Sequence, residues 1–303
     1  MTQQKTITLD TVAREGVKDE YGDYAIYKHL ADSHKNKERP RRKKLAEVFE
    51  RLSETEYKHY EFWRKYSPNT ETKVSKLKLY GIIILEAILG ATFAIKFLER
   101  HEKSSLKQYR TIEQYIPKDD KQQFDQMVKE EQEQEVNLAA QVQGSFIKYM
   151  SFIVLGLADA IVEVSGIHAG SLGVYSSTEL TGLAGIIAGA AASMAMASAA
   201  YAQAKQGFQG SARVSAIATG ASYFVNAVFL ATPYFLTKNA IEAMSISLVI
   251  ATLVLVVISY YNSIISGAHF VRDFLELAGI MYGATVVLYL FGELMRAYLG
   301  IRV

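Results

Sequence analysis

The sequence predicts an all-α protein in two parts, a four-helix bundle over 1–147 followed by a five-helix transmembrane domain over 148–303. Three observations predict it. The 33 basic and 31 acidic side chains are unevenly spread, the first part holding 50 of them and the second 14. A first part of that composition is ordinary for a soluble domain, whereas the second is too poor in charge for one. Prolines punctuate the first part between long helical patterns, and five long apolar stretches fill the second. No strand-like alternation of useful length occurs in either.

Taken in order, Pro40, Pro68 and Pro117 divide the first part into helices at about 10–36, 41–66, 72–114 and 119–147. Proline lacks an N–H donor and disfavours helix in the residue before it. Short links between four long helices make an up-down bundle, or one with a longer crossover. In the second part, 149–175 carries only Asp159 and Glu163, 180–204 and 214–237 carry no charge, 243–271 carries only His269, and 274–295 carries Glu276 and Glu293. A span needs about 20 largely apolar residues, so all five qualify. Small residues, as in GLAGIIAGAAASMAMASAA (182–200), favour close helix packing. The segment LYGIIILEAILGATFAI (79–95) is ambiguous. It is expected to be a bundle helix with a second apolar face for a dimer or membrane-surface contact. The alternative is a sixth span around Glu86, but seventeen residues rise only about 25 Å.

Composition excludes several functions. The first part holds 26 basic against 24 acidic residues, without the excess a nucleic-acid binder needs. There is no cysteine, hence no disulfide framework and no thiolate metal site. The N-terminus MTQQKTITLD has no apolar signal-peptide core, so the first domain is expected in the cytosol. With that orientation the inner links carry Lys148, Lys205, Arg213 and Arg272, against Lys238, Arg296 and Arg302 outside, a slight positive-inside bias. The protein is therefore expected to be integral to a membrane, the cell membrane of a prokaryote. The link QVQGSFIKYM has only Gly144 as a soft point.

The chemistry lies in buried-stripe acids. On the second helix Leu45, Phe49, Leu52, Glu56, His59 and Trp63 form one stripe, apolar at both ends and ionisable in the middle. Glu56-x-x-His59 puts a carboxylate and an imidazole on one face. A charged pair on an inward stripe is costly without partners or a metal. The first helix carries Glu20 in its stripe, the third Glu99 and Glu102, the fourth Glu131 and Glu135 with Gln134 beside them. Glu20 and Glu56 are equidistant from position 38, close to the Pro40 break, and Glu99 and Glu131 from position 115, close to the Pro117 break. Residues so placed lie level in an antiparallel hairpin. One Glu on each of two helices with Glu-x-x-His on the other two is the di-iron carboxylate pattern. Here the fourth helix offers Glu131-x-x-Gln134, and Glu130 with Glu133 offers a rival register. In the second part Asp159 and Glu163, at i and i+4, share one face of the first span and suit a metal or proton path. Glu242 and Glu276 are expected near span ends, and His168 and His269 in structural or interfacial positions. Oxygen donors with at most a thioether fit Fe(II) or Mn(II).

The segments DEYGDYAIYKHLA (19–31), LSETEYKHYEF (52–62) and FLERHEKS (97–104) resemble the rubrerythrin/ferritin-like domain that precedes some members of the vacuolar iron transporter family. LGLADAIVEVSGIHAGSLG (155–173), ASMAMASAAYAQAKQ (192–206), ATPYFL (231–236) and GAHFVRDFLELAGI (267–280) resemble that family's five-helix membrane domain. The resemblance implies a homodimeric exporter of ferrous iron, and often manganese, from the cytosol, driven against protons, with no nucleic-acid partner. It implies a di-iron site in the bundle and a metal-path aspartate at Asp159. The family's span-two methionine falls on Met196 if aligned from Tyr201 and on Met194 if aligned from Ser193. Where the family usually carries a glutamate before that tyrosine, this chain has Ala200, and its link between spans two and three is only KQGFQGSAR (205–213). A membrane-anchored di-iron ferroxidase or peroxidase, and a metal sensor whose bundle gates the membrane part, are the other classes expected of such a chain.

Overall fold

The computed structural model describes residues 8–35, 40–141, 145–175, 177–208 and 210–300; the side chains at 41, 101–104, 133–141 and 145–148 are outside that description. The chain is all-α, with no strand among the described residues, and divides into two compact units, Met1–Gly144 and Ser145–Val303.

In the first unit α1 (Leu9–Lys35) and α2 (Pro40–Tyr66) form an antiparallel hairpin, with Pro40 in the first turn of α2, where its missing N–H costs nothing. The expected third helix over 72–114 is not continuous. It is α3 (Lys76–Leu89), α4 (Ala91–Leu98), a 3-10 turn over Glu99–His101, and α5 (Glu102–Ile112). The physical cause of the first break is Gly90, whose φ of 88° and ψ of 163° lie in a region essentially reserved for glycine. Two more 3-10 turns, Glu113–Tyr115 and Lys118–Asp120, lie on either side of Pro117, and the latter leads into α6 (Lys121–Gln141). Residues 142–144, which include Gly144 of the link between the units, lie outside the described residues.

The bundle interior has two apolar layers. One joins Tyr27, Leu30, Phe49, Leu52, Ile82, Ile95 and Leu98 from α1 to α4. The other joins Val12, Val17, Tyr60, Trp63, Tyr109, Ile112, Phe124 and Met127 from α1, α2, α5 and α6. Burying each such large side chain contributes about 1.5–3 kcal/mol. Along α1 and α2 the acidic residues fall between the layers: Glu20 follows Val17, and Glu56 and His59 lie between Leu52 and Trp63. The segment 79–95 belongs to this bundle. Leu79, Ile82, Ile83 and Leu85 pack into the first layer, and the Glu86 carboxylate lies 3.3 Å from Nε2 of buried His34. The other face of α3 leaves Leu77, Tyr80, Ile84 and Ile88 exposed.

The second unit has five helices long and apolar enough to cross a membrane, Tyr149–Tyr175, Thr178–Ala204, Ala212–Leu236, Ala240–Ser266 and Phe270–Leu299. They comprise α7 (Ser145–Tyr175), α8 (Thr178–Ala204), α9 (Ala212–Ala231) with the short α10 (Pro233–Leu236), α11 (Ala240–Ser266) and α12 (Phe270–Leu299). Helix α7 packs against α8, α9, α11 and α12. Ala160, Ile161 and Val164 of α7 meet Tyr223 and Ala227 of α9, Leu255 of α11 and Met281 of α12 in the core. The small-residue run of α8 permits the close approach its composition suggested: a Cβ added at Gly189 would lie 2.7 Å from the Ala227 Cβ.

Two glycine substitutions test the break in the third helix. Gly90→Ala should destabilise the bundle by about 1–3 kcal/mol, because alanine tolerates that φ and ψ poorly. Gly81→Ala, inside α3 with nothing within 4 Å of the new methyl, should be neutral or stabilising by up to about 1 kcal/mol. The only tryptophan, Trp63, is fully buried in the bundle, so its fluorescence during denaturant unfolding of the full chain reports both effects.

Candidate metal centre

Four ionisable side chains converge between the two apolar layers. Glu20 of α1, Glu56 and His59 of α2 and Glu131 of α6 each offer one ligand atom, all four within 4.8 Å of one another, and all four residues are buried. The three carboxylates face Nδ1 of the imidazole, at 3.0 Å for Glu131, 3.6 Å for Glu56 and 3.9 Å for Glu20. The opposite ring atom, Nε2, lies 3.1 Å from Glu130. Tyr109 of α5 donates its hydroxyl to Glu20 Oε1 at 3.1 Å.

The α1–α2 hairpin explains why Glu20 meets Glu56: both sit at the same depth from the Pro40 turn. His59 joins because i and i+3 share a helix face. On α6 the two registers considered from the sequence are resolved by position. Glu131 is 2% exposed and points to the centre, while Glu130 reaches the outer nitrogen and has a side chain 33% exposed. Glu99 is buried but is not one of the four converging residues. It begins the 3-10 turn that interrupts the third helix, and such a turn rises about 2.0 Å per residue rather than 1.5 Å. Depth counted along a continuous helix therefore no longer applies at 99. The side chains of Glu102 and Gln134 lie outside the described residues. Glu130 as a partner of His59 and Tyr109 as a donor to Glu20 were not singled out as site residues; Tyr109 was visible as a stripe position, and Glu130 as the rival acid.

Electrostatics sets the protonation of this group. Burial first, then the charges of Glu131 and Glu56, hold the Glu20 carboxyl well above the carboxylate range, and a hydrogen bond between Glu20 and Glu56 needs a shared proton. Burial opposes charge on His59, but its contacts with Glu130, Glu131 and Glu56 outweigh it and raise the imidazole well above its ordinary value. The His59 contact, ahead of burial, lowers Glu130. A cation held by the four donors would replace the protons that these shifts favour on Glu20 and His59. Three carboxylates and an imidazole with a carboxylate behind it are a donor set suited to a hard or borderline divalent ion. The four donors converge on one point and can hold one ion.

The membrane-type unit places its candidates differently. Asp159 is half-buried and Glu163 exposed on α7, and Tyr223 of α9 donates to Glu163 at 2.7 Å. Met196 is half-buried against the core that contains Ala160 and Ile161, whereas Met194 is 71% exposed. Glu242 accepts from Thr237 at the start of α11, and Glu276 accepts from Arg272 near the start of α12. His269 precedes α12 as its N-cap residue, and His168 is buried against Tyr234. Comparison with protein-family models, with curated proteins and with solved structures finds no match for the chain.

Two predictions follow from this geometry. Glu130→Gln removes the charge behind Nε2 but none of the four converging donors, so divalent metal affinity should fall by about 10–100-fold with unchanged stoichiometry. Equilibrium dialysis against Mn(II) measures both. The second concerns pH. A raised carboxyl and a raised imidazole both bind protons more tightly in the folded chain, so their contribution to metal-free stability declines as pH rises above each group's ordinary value, about 4.5 for Glu20 and 6.5 for His59. Metal must displace those protons. Calorimetry in buffers of different ionisation enthalpy should show proton release on Mn(II) binding, with affinity rising from pH 6 to 8; pH-independent affinity would contradict the assignment.

Proposed function

We propose that this chain is a membrane transporter that exports Fe(II) and Mn(II) from the cytosol, coupled to proton movement, with the bundle on the cytosolic side capturing the metal. The observation that carries the reading is one polypeptide combining two features. One unit holds a buried three-carboxylate and histidine cluster able to hold a metal ion, and the other has five helices fit to span a membrane. The donors are oxygen and nitrogen, and the chain contains no cysteine, which suits Fe(II) or Mn(II) over Cu(I). Asp159 and Glu163 on α7 give the membrane unit carboxylates of its own, and ionisable groups within spans mark ion or proton paths. On this reading Met196, half-buried against the core that contains Ala160 and Ile161, supplies a thioether near that path. The protein works as a homodimer in a prokaryotic cell membrane.

In the bundle, Glu20, Glu56, His59 and Glu131 hold the first ion, and Glu130 orients His59. A di-iron centre would need further donors, drawn from Glu99, Glu102 and Gln134. A second reading is favoured by Tyr109, whose hydroxyl contacts Glu20. A phenol beside an iron-binding carboxylate suits one-electron chemistry, so the bundle would oxidise Fe(II) instead of handing it on.

Vesicles reconstituted with the full chain and loaded with a metal-sensitive dye separate the readings. Metal uptake without oxygen consumption supports transport; oxygen consumption without uptake supports a membrane-anchored oxidase. Asp159→Asn should bring uptake close to the background of protein-free vesicles while the bundle still binds metal. Uptake at the wild-type rate would rule out a direct role for this carboxylate.

A further inference from the structure

Helix α7 carries an imidazole that the metal reading does not use. His168 is 1% exposed, and neither ring nitrogen has a hydrogen-bond partner. The link between α7 and α8 is two residues long, so the helices are antiparallel and His168 lies level with Gly185. A Cβ at Gly185 would lie 2.0 Å from His168 Nε2, so the ring fills the space that α8 leaves by having no side chain there. The Tyr234 ring of α10 closes the other side, with ring centroids 4.4 Å apart.

Two further polar groups continue this notch along the α7–α8 seam. Ser165 precedes His168 by one turn of α7, and Thr181 precedes Gly185 by one turn of α8. At 1.5 Å rise per residue they sit about 4.5 Å and 6 Å from the imidazole level, on opposite sides of it. Both hydroxyls are buried and without a partner. Many other hydroxyls in these spans bond a carbonyl of the preceding turn, as Ser198 does to Met194, Thr252 to Leu248 and Thr285 to Met281, while Thr219 and Ser259 are buried without a partner as these two are. In a hydrocarbon environment no bulk water meets the unpaired groups, so their desolvation is returned only by an internal partner. Buried water with two to four polar neighbours is the ordinary solution.

We propose that Ser165, His168 and Thr181 form a hydrated polar file between α7 and α8 in which His168 binds and releases a proton. The file needs no metal. Tyr234 is the titratable side chain that contacts the ring. On α8 the facing position is Gly185, α11 meets Tyr234 through Ala243, and α12 meets this stretch of α7 through Leu288 and, at Gly173, through the backbone of Tyr289, Gly292 and Glu293. On α7 itself Asp159 and Glu163 lie on earlier turns, and Glu163 is held by Tyr223 of α9. A water-borne proton on His168 therefore has no fixed counter-ion at the ring, which favours exchange over a permanent ion pair.

The proposal deepens the transport reading by naming its proton-binding group, and rests on that reading only for coupling. The site itself is tested on the full chain in detergent with nitrogen-15-labelled histidine, the His168 signals being identified by their loss in His168→Gln. The expected result is a ring that titrates reversibly between pH 5 and 8 and whose N–H exchanges with heavy water within the mixing time. Thr181→Val, which keeps side-chain shape, should slow that exchange by about 100-fold. A single neutral tautomer across this range with a protected N–H would overturn the proposal whether or not the protein transports metal. In vesicles, His168→Gln should lower the number of protons moved per metal ion; an unchanged ratio would overturn the coupling role. Absence of metal uptake by the wild-type chain would instead sink the transport reading and leave the exchange measurement to decide the site.

Discussion

Burying three carboxylates and an imidazole at one level of a helical bundle is the constraint on which the first unit depends. Removed from water, like charges within 4.8 Å of one another repel strongly and lose their hydration. In the metal-free chain that cost favours protonation of Glu20, through burial and the charges of Glu131 and Glu56, and of His59, through its carboxylate contacts. The fold supplies the rest. Apolar layers above and below fix the level of each helix, Glu130 holds the imidazole from behind, and Tyr109 holds Glu20. Such an arrangement adds nothing to stability that a leucine or phenylalanine would not supply better. Its retention at the centre of the bundle makes sense if a cation takes the place of the protons.

The second unit handles polar groups by the opposite rule. Its hydroxyls mostly return to helix carbonyls, and its charged residues gather near helix ends, as Glu242, Arg272 and Glu276 do. Departures from that rule include the buried hydroxyls of Ser165, Thr181, Thr219 and Ser259, which have no partner. Asp159 and Glu163 sit within the first candidate span, and His168 is packed between a glycine and a tyrosine. All three lie on α7, the helix that packs against α8, α9, α11 and α12. On that helix Asp159 is half-buried and His168 buried, whereas Glu163 is exposed and is reached by Tyr223 of α9.

Much of this was legible in the sequence, and the reasons are physical. Charge asymmetry and apolar length set the two parts and the five candidate spans. The stripe from Leu45 to Trp63, apolar at both ends and acidic in the middle, located Glu56 and His59, and symmetry about the Pro40 turn located Glu20. Glu99 is buried but lies outside the four converging residues, where Gly90 and the 3-10 turn after Leu98 interrupt a helix that hydrophobic periodicity alone joins into one. Periodicity does not register a single residue of left-handed backbone. It also left Glu130 and Glu131 undecided, since adjacent acids on a charged helix both satisfy a loose pattern and only packing against α2 tells them apart. The pairing of Tyr223 with Glu163 and the seating of His168 over Gly185 are contacts between helices, which spacing within one helix does not encode.

The central claim is that the buried cluster in the bundle binds a metal ion through oxygen and imidazole. X-ray absorption at the metal edge, on the full chain loaded with one equivalent of Mn(II), tests it directly. The account predicts a first shell of oxygen with one imidazole nitrogen and no sulfur, and loss of the imidazole contribution in His59→Ala. A bound ion showing only water-like oxygen, or a spectrum unchanged by His59→Ala, would contradict it.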